Sequence, residues 1–130
     1  MPKPILCVDF DGVIHSYVSG WKGADSVPDG PVPGALAFLK AATEHFTVAI
    51  FSSRSNQPGG LDAMREWLFN MATNGGFPEV IDNDETWFAA IEWPTEKPAA
   101  FLTIDDRAMT FRGIFPDPKM LLEFKPWNKQ

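Results

Sequence analysis

The 130-residue chain has one cysteine, Cys7, and only two histidines, His15 and His45. A single thiol cannot close an internal disulfide, and so few Cys and His residues leave no ligand set for zinc. Cys7 lies inside an apolar run and reads as a small core residue. Basic residues are also scarce, 11 Lys and Arg against 17 Asp and Glu, for a formal charge of -6. An acidic chain has no general attraction for polyphosphate, so non-specific nucleic-acid binding is disfavoured. No apolar run approaches the roughly 18 to 20 residues of a membrane span, and the start "MPKPILCVDFDG" lacks the apolar stretch of a secretory signal. The expectation is a cytoplasmic protein with no membrane contact. Repeats, low-complexity tracts and linkers are missing as well, and the length suits one domain, residues 1–130, around one core.

The chain does contain three short apolar runs, and each stops at a polar cluster. Ile5 to Val8 stops at Asp9 and Asp11; "TVAIF", residues 47 to 51, stops at Ser52, Ser53 and Arg54; "AFLTI", residues 100 to 104, stops at Asp105 and Asp106. Continuous apolar runs of this length are typical of parallel strands covered on both faces. Between the first two, a Gly/Pro/Ser-rich flap precedes Ala35, Leu36, Phe38, Leu39, Ala42 and Phe46 at helical spacing. Between the second and third, Leu61, Met64, Trp67, Leu68 and Met71 mark another helix, ending near Asn74 to Gly76. Residues 77 to 99 hold no sustained period, though Val80 and Ile81 suggest a short strand, and a last helix is expected around Met120 to Phe124.

Strand, helix, strand, helix, strand implies an α/β fold, and ligands of parallel sheets bind beyond the carboxyl ends of the strands. All three polar clusters fall at that edge. Carboxylates gathered there repel one another unless a cation sits among them, and hard oxygen donors of this kind favour Mg2+. A calcium loop counted from Asp9 is a poor fit, with Ile14 at its sixth position and Gly20 at its twelfth.

"VDFDG", "AIFSSR", the lysine of "EKP" and "LTIDD", in that order and at strand ends, resemble the haloacid dehalogenase superfamily of aspartate-nucleophile phosphatases. These elements span residues 5 to 107, and "SSRS" with "IDDRA" is similar to short phage and bacterial members. The resemblance implies a three-layer α/β/α sandwich with a central parallel sheet and minimal or no cap. It implies a Mg2+-dependent phosphomonoester hydrolase with Asp9 as nucleophile and Asp11 as acid/base, the latter with a raised pKa. Ser52, Ser53, Arg54 and Lys97 would bind phosphate, and Asp9, Asp11, Asp105 and Asp106 would hold the metal, Asp11 through its backbone carbonyl. Lys97 lies only eight residues before Asp105, so the segment must bend, or Lys22, Arg54 or Lys125 serves instead. Arg107 is expected to pair with an acid and His15 to be structural or solvated.

A phosphorylated substrate, small or macromolecular, would enter an open site; its identity and the oligomeric state stay open. The alternative is a non-catalytic protein of the same fold that docks a phosphorylated partner. Trp87, Trp93 and Trp127 are expected in the core, and Trp21, in the flap, is placed to brush a substrate.

Overall fold

A computed structural model describes residues 2–80 and 86–130. Three strands, β1 (Ile5–Val8), β2 (Thr47–Ile50) and β3 (Leu102–Ile104), form a parallel sheet in the order β2-β1-β3. The most continuously apolar run, β1, therefore holds the centre. Its register sets Leu6 beside Val48 and Leu102, and Val8 beside Ile50 and Ile104. Successive side chains in a strand alternate faces, so Cys7, Ala49 and Thr103 point the other way.

Two helices pack on the Leu6/Val8 face. Helix α1 (Ala35–Ala42) contributes Leu36 and Leu39, and α2 (Gly60–Asn74) contributes Met64, Trp67 and Leu68, all buried in one cluster with Leu6, Val8, Val48 and Ile50. Each such side chain contributes about 1.5–3 kcal/mol on leaving water. Phe46, expected on the first helix, lies past its end and packs against the same cluster. A short helix α3 (Thr86–Ala89) adds buried Trp87.

The expected strand at Val80 is a 3-10 turn, Pro78–Val80, in which the Val80 N–H donates back to the Phe77 carbonyl at 3.1 Å; Ile81 lies outside the described residues. Beyond it the chain returns along the outer edge of β2. The Ile50 N–H donates to the Glu92 carbonyl and the Glu92 N–H to the Val48 carbonyl, at 3.0 and 2.9 Å. From there it must reach β3, on the far side of β1. The helices fill the Leu6/Val8 face, which leaves the Cys7 face for the connection. The connection runs there without helix, and burial nonetheless pushes the Cys7 thiol up. Cys7 is the core residue its apolar neighbours suggested.

After β3 the chain leaves the sheet. Ile114, Phe115 and Leu122 are 84 to 88% exposed, and α4 (Pro118–Leu121), capped by the Asp117 carboxylate, buries no residue. The last expected helix thus starts two residues early, where Asp117 and Pro118 form an N-terminal signal.

Helix α2 begins where the backbone leaves almost no room. A Cβ on Gly60 would collide with the carbonyl of Arg54, a backbone group that cannot swing aside. Gly60→Ala should destabilise the protein by about 1–3 kcal/mol, the usual cost of overpacking, seen as a lower Tm.

Candidate functional site

Parallel strands bring their carboxyl ends to one rim. The Asp9 N–H donates to the Ile104 carbonyl at 2.9 Å, which ties the end of β1 to that of β3 and sets Asp9 next to Asp105 and Asp106. One carboxylate oxygen from each of the three lies within 4.8 Å of the others. Gly12 makes this approach possible. Its φ of 82° belongs to the left-handed region, and a Cβ there would fall on the Asp106 carboxylate. Burial pushes the Asp9 carboxyl up to about 8; a hydrogen bond from the Phe10 N–H opposes the rise, and the charges of Asp105 and Asp106 reinforce it. A cluster of hard oxygen donors in which one member resists its own charge is suited to a divalent cation, which Asp9, Asp105 and Asp106 can hold.

Asp11, two residues on, is treated differently. One of its oxygens meets His15 Nδ1 at 2.9 Å and the other accepts from Arg54 Nε at 2.8 Å. Its carboxylate is therefore turned away from the acidic cluster. Burial works against its charge, but His15 and Arg54 outweigh that penalty and hold the carboxyl below its ordinary value. The raised value expected for an acid/base residue is not found, because the charged form already has its partners. His15 is fully buried and structural, and its Nε2 accepts from the Asp29 N–H at 3.1 Å, which leaves Nδ1 to donate to Asp11.

Arg54 has no solvent exposure. Besides Asp11, its Nη1 donates to the carbonyls of Gly23, Ala24 and Ser26 in the flap, at 2.8 to 3.0 Å, and its guanidinium lies 4.9 Å from the Trp21 ring centre. Of the expected roles, gripping phosphate does not match this placement. The loop-capping role does, since Nε and Nη1 are taken up inside the molecule, while the buried Nη2 has no hydrogen-bond partner among the described residues.

The rim opens into a pocket of about 290 Å³. Asp9, Asp11 and Asp106 line it with Ser52 and Ser53 from the end of β2, so the structure brings these sequence-selected residues together. Ser52 Oγ accepts the Arg54 N–H at 3.2 Å, which leaves its O–H to donate. Lys97 is exposed and does not line the pocket. Trp21 does, as its flap position suggested, and so do Tyr17, Arg107, Asn128 and Lys129. Sequence reasoning missed Asn128 and Lys129, which no nearby motif marks, and set Arg107 aside. Trp127 is not in the core: it is 56% exposed, and its Nε1 donates to the Gly12 carbonyl at 2.7 Å.

Compared with models of known families, with curated proteins and with solved structures, the chain finds no match. The chemical reading therefore rests on the residues of the pocket.

Two outcomes follow from the paired carboxylates. Asp9 has a raised value in the fold, so its contribution is complete below the unfolded value near 4 and is lost as pH rises toward 8. Metal-free protein should lose stability from this group over that range, and Asp9→Asn should remove the decline, giving a higher Tm than wild type at pH 8 in a thermal-denaturation series. Arg54→Met should cost about 3–5 kcal/mol by stranding the Asp11 charge, measured by urea denaturation near neutral pH.

Proposed function

We propose that the chain is a Mg2+-dependent phosphomonoester hydrolase of the haloacid dehalogenase type, built as a capless version of that fold in which the described helices cover one face of the sheet and not both, as a three-layer sandwich would require. The observation that carries the reading is the clustering of Asp9, Asp105 and Asp106 at a rim where Asp9 and Asp106 line one pocket with Ser52 and Ser53. Mg2+ held by those three carboxylates would offset the repulsion between Asp9 and a phosphate ester and favour the ionised nucleophile.

Asp9 then forms a bond to phosphorus as the ester P–O bond breaks and the alcohol departs with a proton. The Ser52 hydroxyl donates to a phosphoryl oxygen in that step. Water attacks the aspartyl-phosphate next, releasing inorganic phosphate and restoring the Asp9 carboxylate. Asp11 supplies and recovers the proton only when it exchanges away from Arg54 and His15. The pocket takes a phosphorylated small molecule or macromolecule, and the acidic body disfavours nucleic acid.

One observation favours a second reading. Both Asp11 oxygens are engaged inside the protein, which suits a non-catalytic member that binds a phosphorylated partner at the same rim. Phosphate release from an aryl phosphate and a panel of phosphomonoesters separates the two. The hydrolase reading expects Mg2+-dependent turnover that falls roughly a thousandfold or more in Asp9→Asn. Mg2+ binding without turnover on any ester favours the binding protein, and absence of Mg2+ binding rejects both.

A further inference from the structure

We propose that Lys129 is the fixed cation that a phosphoryl group meets in this pocket, carried there by a turn clasped to the loop that follows Asp9. The inference rests on the phosphate-site reading above and names a residue that reading leaves unassigned. A phosphate entering beside Asp9 and Asp106 meets the acidic cluster, and a bound divalent ion offsets only part of its charge. A fixed cation is needed, and two of the obvious candidates do not fit. Arg54 engages Asp11 and the flap carbonyls through Nε and Nη1, its Nη2 is buried without a hydrogen-bond partner among the described residues, and neither it nor Lys97 lines the pocket.

Lys129 lines the pocket, and the chain around it is held in place. The 3-10 turn Trp127–Lys129 closes with the Lys129 N–H donating to the Pro126 carbonyl at 3.0 Å. Pro126 is buried, in a stretch where its neighbours are exposed. Trp127 supplies the second restraint, donating its indole N–H to the Gly12 carbonyl at 2.7 Å across 115 residues of sequence. Gly12 is the residue directly after Asp11 and the one whose missing Cβ admits Asp106. The clasp therefore fixes the ammonium-bearing turn to the backbone that sets the carboxylate cluster. A lysine on a flexible stem suits this task, because its ammonium acts as a point charge on a phosphate oxygen. Arg107 also lines the pocket, and its backbone N–H donates to the Asp105 carboxylate at 2.8 Å, so its anchor is the acidic cluster and not the clasp; Arg107→Met therefore belongs in the same test, and a loss of phosphate affinity seen there and not in Lys129→Met overturns the assignment. Trp127 is a positioning residue.

The test measures binding of inorganic phosphate by calorimetry in saturating Mg2+, with the thermal shift caused by Mg2+ alone as a separate readout. Lys129→Met should weaken phosphate binding about tenfold or more while leaving the Mg2+ shift intact, and Lys129→Arg should restore most of the affinity. Trp127→Phe, which deletes the indole N–H, should weaken phosphate in the same direction by less. Lys97→Met should bind as wild type does. Wild-type phosphate affinity in Lys129→Met, or a loss seen in Lys97→Met instead, overturns the assignment of Lys129 and leaves the phosphate site standing. Loss of the Mg2+ shift in Lys129→Met also overturns it, because the turn would then be supporting the whole rim. Failure of the wild type to bind phosphate with Mg2+ bound rejects the phosphate site and Lys129 together.

Discussion

The Arg54 guanidinium has no exposure to water, and the partners that its Nε and Nη1 find inside the molecule join three parts of the chain. It reaches Asp11 at the end of the central strand, three flap carbonyls between Gly23 and Ser26, and the face of the Trp21 ring. Arg54 itself follows β2. A buried charge without such partners costs several kcal/mol, so the flap cannot detach without stranding the guanidinium. The flap is otherwise a Gly/Pro/Ser-rich stretch whose apolar anchors are Val27 and Val32, packed against the core. This ion pair holds it over the rim together with the Trp67 indole, which donates to the Asp29 carbonyl at 2.8 Å, and the Val32 N–H, which donates to the Ile14 carbonyl at 2.8 Å.

The same ion pair divides the labour between two neighbouring acids. Asp9 and Asp11 are one residue apart in "DFD", yet burial and the acids across the rim push one up while His15 and Arg54 hold the other down. Environment, not residue type, assigns such roles. The protein neutralises Asp11 with its own cation and leaves Asp9, with Asp105 and Asp106, in want of one. That asymmetry underlies both the proposed metal site and the difficulty of using Asp11 as an acid without a rearrangement.

Most of the elements were legible along the chain because their signals are local. β1, β2 and β3 follow from apolar runs of strand length, and α2 from Met64, Trp67, Leu68 and Met71 recurring at helical spacing. The irregular stretch resisted for a physical reason: Glu92 is held at the edge of β2 by backbone hydrogen bonds, which no side-chain pattern announces. Tryptophan was misleading at position 127, where a large aromatic serves through its N–H at the rim and not through burial.

In the site, Asp9, Ser52, Ser53 and Asp106 were readable because they stand directly after strands, and a parallel sheet carries every strand end to the same edge. The sequence by itself thus determined which acids and hydroxyls lie at the rim, since the parallel direction of the strands follows from short-range apolar pattern and connection length. What surrounds each of them was decided by the tertiary structure alone. Arg54 turns inward, Lys97 stays out and Lys129 comes in, because the reach of a long cationic side chain and the return path of a distant segment depend on contacts between residues dozens of positions apart.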